Sequence, residues 1–207
     1  MAIPAFIHSL APVFILASLL QPVALPTASA KSEPGIARFE QVSFDLYRGA
    51  QPVGIEFEQL ENFGIRSVMS FVSKPATVVE EERKVVEQLG MKFYSFPMNA
   101  YLGPNEQTLQ AIFAELGRSE NWPIYIHCNN GKNRTGLITG LYRIHFDYWS
   151  ADSAYREMKN KGFNPLLLGL TWNFWTHSHP GDLTDATLPI AQIEEASESG
   201  QEPETSR

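Results

Sequence analysis

One run, Pro123-Ile124-Tyr125-Ile126-His127-Cys128-Asn129-Asn130-Gly131-Lys132-Asn133-Arg134-Thr135-Gly136, limits the folds open to this chain more than any other. Its apolar part, rich in Ile and Tyr, stops at His127-Cys128. Small or polar residues follow, and Arg134-Thr135-Gly136 opens a second apolar segment. That order predicts a buried strand, a tight loop and a helix. A loop that runs into a helix start turns several backbone N–H groups inward, and the helix dipole adds partial positive charge there. Such a nest suits a phosphate dianion. Cys128 at one end is a candidate nucleophile, and Arg134 at the other can clamp two phosphate oxygens bidentately. A structural cysteine would behave as a small hydrophobe, which explains neither the polar loop nor Arg134.

The residues His127-Cys128, five further positions and Arg134-Thr135-Gly136 resemble the signature loop of the cysteine-dependent protein tyrosine phosphatase superfamily. A bare Cys and Arg at that spacing recur by chance. The preceding His, the internal Gly131, the Thr-Gly after the Arg and the strand and helix flanks make this instance specific. The segment Leu46-Tyr47-Arg48-Gly49-Ala50-Gln51-Pro52 resembles the opening of compact bacterial, fungal and plant dual-specificity-like phosphatases. There is also a likeness to atypical dual-specificity and tyrosine-phosphatase-like phytase members.

The resemblance implies a phosphoric monoester hydrolase that forms a phosphocysteine on Cys128 and needs no cofactor and no metal. It implies that Arg134 and the amides of Asn129, Asn130, Gly131, Lys132 and Asn133 hold the phosphoryl oxygens. Thr135 would hydrogen-bond the sulfur and help it leave when water attacks. His127 would order the loop from behind and not act as a base.

The chain of 207 residues, 43% apolar, suits one domain with an ordinary core. Its net charge of -7 belongs mostly to residues 182–207, where seven acidic residues face Arg207 alone. The remainder carries no nucleic-acid footprint. With one cysteine, no intramolecular disulfide and no Cys-based metal site can form. Residues 1–30 read as a secretory signal peptide, with an apolar stretch from Leu10 to about Leu20 and Ala28-Ser29-Ala30 before Lys31. The segment departs from that pattern in lacking Lys or Arg at its start. An uncleaved membrane anchor is the alternative, which Pro12, Pro22, Pro26 and the short apolar run disfavour. The expected product is therefore exported, periplasmic or secreted, without stable membrane insertion.

Between those ends, residues 31–181 form the expected phosphatase domain. Residues 36–50 alternate like an opening strand pair. Arg48 lies there, and a structural ion pair is favoured for it over a place facing the site. Phe57, Leu60 and Phe63 suggest a short helix stopped by Gly64, and Ser67–Val72 a strand. Val78, Val79, Glu82, Val85, Val86 and Leu89 fall at near-helical spacing, with Glu80-Glu81-Glu82 read as a solvated face. A strand over 91–96, a loop over 97–105 and a helix through Leu109, Ile112, Phe113 and Leu116 lead to the signature strand. After it come an apolar helix to about Tyr148, a helix capped by Ser150 and ending at Gly162, and a tryptophan-rich helix over 165–176. Trp172 and Trp175 are assigned to the core, and His177 and His179 to a surface turn. Beyond Gly181 the acidic, Ser-, Thr- and Pro-containing tail reads as disordered. Alternating strands and helices predict an α/β fold, a largely parallel central sheet flanked by helices.

The superfamily uses an Asp on a separate loop to protonate the leaving oxygen. Counted back from Cys128, that loop corresponds to Pro97–Glu106, which holds no Asp. Asn99 stands near the expected place, and an amide cannot donate a proton as an acid does. Glu106 is the nearest carboxylate and the candidate acid, although it falls where a first-turn helix residue belongs. Asp147 and Asp152 fall in or beside helices after the loop and read as structural. Three functions remain open. The leading one is hydrolysis of inositol polyphosphates, because Lys132 adds a cation that one phosphate does not require. The second is a protein tyrosine or dual-specificity phosphatase acting on a phosphoprotein, with Tyr101 as a candidate wall of a phosphotyrosine cleft. The third is a phosphate-binding module without turnover.

Overall fold

The computed structural model describes residues 32–181 and Leu183. The expected signal segment 1–30 and the tail from 182, Leu183 excepted, lie outside the described residues. A five-stranded sheet has the order β1-β2-β5-β3-β4. Strands β1 (Glu40–Ser43) and β2 (Leu46–Ala50) form an antiparallel hairpin, turned at Asp45 with φ 62°. Strands β2, β5 (Ile124–Cys128), β3 (Ser67–Ser70) and β4 (Lys92–Ser95) run parallel. Every residue of β3 and β5 is buried, the signature of strands covered on both faces.

Alternation along the strands divides the core in two. Val68 and Tyr125 face a cluster with Phe57, Leu60, Val86 and Phe93. Those side chains come from α1 (Glu56–Phe63), α2 (Ala76–Gln88) and β4. Met69, Ile124 and Ile126 face the other way, onto Leu109, Ile112, Leu137, Leu141 and Phe174. That layer comes from α3 (Glu106–Leu116), α4 (Asn133–His145), α5 (Ala151–Asn160) and α6 (Leu168–Thr176). Helix α4 is its centre: Leu137, Ile138, Leu141 and Ile144 are all fully buried. Each contributes about 1.5–3 kcal/mol relative to an exposed position. Asn105 and Ser150 cap α3 and α5, accepting from the N–H of Thr108 and of Ser153.

Two sequence expectations fail here. Trp172 is 73% exposed and Trp175 40% exposed, so neither belongs to the core. Helix α6 packs through Leu170, Asn173 and Phe174, and Trp172 falls about 200° around the helix from Leu170. Glu82, expected on a solvated face, is buried, because it shares the inward stripe of α2 with Val86. Val85 instead turns out toward solvent.

The parallel register brings the carboxyl ends of the central strands together. Cys128 pairs with Ala50, and His127 lies between Gly49 and Ser70. Ligands of open α/β sheets bind outside such strand ends.

Candidate active site

Cys128 is the last residue of β5, and the loop 129–132 joins it to α4 at Asn133. Three consecutive loop carbonyls turn outward. The carbonyl of Asn129 accepts from the N–H of Gln51 at 3.3 Å, that of Asn130 from Arg38 Nε, and that of Gly131 from Arg48 Nη2 at 2.7 Å. All three donors come from residues 38–51, which run from the turn before β1 through the opening hairpin to the residue after β2. With the carbonyls held out, the loop directs N–H groups toward the cysteine: those of Asn130 and Thr135 reach the sulfur.

The loop lies tightly over the end of β2. Gly131 has φ 64°, and a Cβ there would collide with the Gly49 carbonyl and stand 2.8 Å from the Ala50 nitrogen. Gly49 is constrained in turn by Tyr125, whose hydroxyl donates to the Ala50 carbonyl at 2.6 Å. Arg48, 3% exposed, ties this layer to α4, donating to Thr139 Oγ1 at 3.0 Å and standing 3.5 Å from Glu40. The ion pair expected of Arg48 is present, and its contact with the Gly131 carbonyl makes it a brace of the loop as well.

Burial pushes the Cys128 thiol up. The Thr135 hydroxyl, the Thr135 N–H, the Arg134 guanidinium and the Asn130 N–H outweigh it and hold the thiol below its ordinary value. The hydroxyl of Thr135 is buried and has no nitrogen or oxygen partner among the described residues, which leaves the sulfur as its partner. Arg134 is held from above: its Nη1 donates to the carbonyl of Phe71 at 2.9 Å and, more weakly, to that of Met98 at 3.4 Å.

Behind Cys128, His127 is fully buried and its Nε2 lies 2.8 Å from Glu82 Oε1, off the line of a conventional hydrogen bond. The other oxygen of Glu82 accepts from Gln51 Nε2 at 2.7 Å, and Gln51 Oε1 accepts from Lys74 at 2.9 Å. The sequence assigns no site role to Glu82, Gln51 or Arg38. Only the apolar spacing around Glu82 carried a signal of its burial.

The remaining candidates separate. Asn133 turns its side chain away from the cradle, its Oδ1 accepting from the N–H of Asn164 at 2.8 Å. Lys132 is exposed, its stem lying along Gly162. Asn99 follows Met98 over Arg134, but its Oδ1 accepts from the N–H groups of Tyr101 and Leu102, so that oxygen builds the turn. Glu106 is exposed in the first turn of α3 and accepts from Gln110 at 3.3 Å. Asp147 pairs with Arg143 at 2.8 Å and accepts from Ser43, a structural role.

A thiol with a depressed pKa, two amides aimed at its sulfur and a tethered arginine form an electrostatic cradle for a tetrahedral oxyanion. The sequence pattern of the tyrosine phosphatase family matches residues 35–163, a span that runs from the opening segment to the end of α5 and its following turn. The chain belongs to the tyrosine phosphatase family. Within it, the chain is similar to the compact dual-specificity branch. It is 27% identical over 138 residues to the dual specificity protein phosphatase TpbA of Pseudomonas aeruginosa, covering 67% of this chain and 60% of that protein. It is 30% identical over 131 residues to the inositol diphosphatase DSP3 of Arabidopsis thaliana, covering 61% of this chain and 63% of that one. The chain thus spans somewhat over half the length of these curated relatives. The fold is that of the catalytic domain of the Saccharomyces cerevisiae phosphatase SIW14, with a TM-score of 0.58, 23% identity and coverage of 69% of this chain and 86% of that one. The α/β architecture and the family are therefore those expected from the signature loop.

Proposed function

We propose that this chain is a cysteine-dependent phosphatase that hydrolyses phosphate monoesters through a phosphocysteine, with inositol polyphosphates as its leading substrate class. The observation that carries the reaction is the set of outward-bonded carbonyls at 129–131, which frees N–H groups to face a thiol held below its ordinary pKa. The Cys128 thiolate attacks phosphorus, the bond from phosphorus to the ester oxygen breaks, and Sγ–P forms. Arg134 and the amides from Asn129 to Asn133 stabilise charge on the phosphoryl oxygens. Water then attacks the phosphocysteine, and the Thr135 hydroxyl stabilises the departing thiolate. Lys132 stays outside that cycle and offers its charge to other parts of a polyanion.

Among the described residues, no carboxylate contacts Arg134 to serve the first step as an acid. Asn99 stands near the expected place of one and has no proton of that acidity, while Glu106 is exposed and accepts from Gln110 within its own helix turn. General acid catalysis is worth on the order of 10²–10⁴-fold. Substrates whose leaving oxygen needs little help, such as aryl phosphates and phosphoanhydrides, lose least. A substrate with neighbouring phosphates can supply its own proton. That chemistry and the exposed Lys132 favour inositol polyphosphates, and relatives named inositol diphosphatases support the reading.

A dual-specificity protein phosphatase is the second reading, favoured by the likeness to TpbA and by Tyr101, 75% exposed on the loop that follows Met98. Export, proposed from residues 1–30, would direct either activity outside the cytosol. Phosphate release from inositol hexakisphosphate, a phosphotyrosine peptide and an aryl phosphate separates the readings. Fast peptide turnover with indifference to inositol hexakisphosphate would reverse their order.

A further inference from the structure

Beside the catalytic loop, on the side of its outward carbonyls, lies a cavity of about 440 Å³ bounded by Arg38, Glu40, Arg48, Lys132, Lys161 and the turn at Gly162. That volume falls within the range of small-ligand sites. Four cations face one carboxylate. A second cavity of the same volume, about 440 Å³, opens at the opposite strand ends between Asp45, Tyr47, Phe63, Gly64 and Pro123, with one acid and no cation. Charge therefore singles out the first.

The cations are not equally occupied. Arg48 spends its terminal nitrogens on Thr139 and Gly131. Lys161 pairs with Glu40, which also faces Arg48. Arg38 uses only Nε, on the Asn130 carbonyl, and its two terminal nitrogens have no partner among the described residues. It does so from a backbone with φ 59°, in the left-handed region that non-glycine residues rarely adopt. Lys132 has no acidic partner among the described residues. Its stem is laid along Gly162, where a Cβ would come within 3.2 Å of Lys132 Cδ. The turn after α5 thus leaves room for that side chain, and Gly162 itself has φ 89°.

We propose that this cavity is a second anion site, separate from the cradle, that takes a phosphoryl group through Arg38, Lys132 and Lys161. A planar guanidinium with both terminal nitrogens free matches two oxygens of one phosphoryl group. The ammonium groups add point charge from two other segments. A dianion balances this excess better than a carboxylate does. Glu40 shares Lys161 with the ligand and positions it. The phosphoryl group has two possible sources, another phosphate of the molecule being hydrolysed or free phosphate. The site stands on its own lining and does not depend on which substrate the cradle takes.

Titration calorimetry with inorganic phosphate tests it, using Arg134→Ala protein in which the cradle is disabled. One phosphate still binds, and adding Lys161→Glu weakens it at least tenfold. Lys161→Met, which removes the charge without placing a carboxylate beside Glu40, must weaken binding as well, so a loss is not explained by a disturbed Arg48 brace. In wild-type protein the stoichiometry falls from two to one on the same substitution, which covers failure of Arg134→Ala to fold. No binding by Arg134→Ala protein together with a wild-type stoichiometry of one, or binding indifferent to Lys161→Glu and to Arg38→Ala, overturns the proposal. A kinetic arm assigns the source. If kcat/KM for inositol hexakisphosphate divided by that for an aryl phosphate falls at least tenfold in Lys161→Glu, the occupant is a second phosphate of the substrate. An unchanged ratio with the phosphate titration still altered assigns the site to free phosphate.

Discussion

Oε1 of Glu82 lies 2.8 Å from Nε2 of His127, and both groups are shut off from solvent. His127 immediately precedes Cys128, and the Gln51 bonded to Glu82 also donates its N–H to the loop carbonyl of Asn129. One carboxylate on α2 therefore lies against both the strand end that carries Cys128 and the Gln51 that holds the loop after it. Removing the Glu82 carboxylate leaves the Gln51 amide that donates to it without its buried acceptor, which costs about 1–3 kcal/mol. Glu82→Ala is expected to lose that much in chemical denaturation, and Glu82→Gln clearly less, because an amide can still partner Gln51. An alanine variant as stable as wild type would remove the pair from the structural account.

The thiol gives a pH dependence of known sign. Folding holds Cys128 below the ordinary thiol value of 9.0, against the push of burial, chiefly through Thr135 and Arg134. A depressed pKa contributes stability that is fully present above the unfolded value and lost as pH falls through the folded one. The rate of Cys128 alkylation by iodoacetamide should titrate with a midpoint below 9.0, and Thr135→Ala should move that midpoint upward. A midpoint unmoved by Thr135→Ala would show that its hydroxyl does not stabilise the thiolate.

Gly131 admits no side chain. Alanine there would combine a positive φ with collision against the Gly49 carbonyl. We expect Gly131→Ala to cost about 2–4 kcal/mol from backbone strain and overpacking together. Activity should fall further than stability, because the loop amides move with the backbone. Denaturant midpoints and aryl phosphate turnover on the same preparation measure both.

The missing acid is testable by removal and by addition. Glu106→Gln should leave aryl phosphate hydrolysis within about twofold of wild type, since Glu106 is bonded within α3 and exposed. Asn99→Asp keeps an oxygen for the N–H groups of Tyr101 and Leu102 and places a carboxyl beside Met98, over Arg134. It should raise turnover of alkyl phosphates more than that of aryl phosphates, within the 10²–10⁴-fold range of acid catalysis. A large drop in Glu106→Gln would assign the proton to Glu106 instead.

The strand-loop-helix unit that holds Cys128, Arg134 and Thr135 was legible in the sequence because its parts are neighbours, with a local geometry fixed by short-range rules. Its supports were not, because they arrive from 38–51 and from α2, and no local pattern says which carbonyl they will meet. Glu82 shows the difference. Its neighbours in sequence, Glu80 and Glu81, are exposed, and only its spacing four residues before Val86 marks the inward face. Trp172 erred the other way. Large apolar side chains suggested core, whereas the buried stripe of α6 is set by Leu170, Asn173 and Phe174, leaving Trp172 outside it.

The cysteine mechanism is tested most directly by acid-quenching the protein during turnover of an aryl phosphate and locating the covalent phosphoryl group by peptide mass spectrometry. The expected result is a phosphoryl group on the peptide containing Cys128 in wild type, with none in Cys128→Ser and no phosphate released by that variant. Phosphate release by Cys128→Ser at the wild-type rate, with no labelled cysteine in either protein, would contradict it.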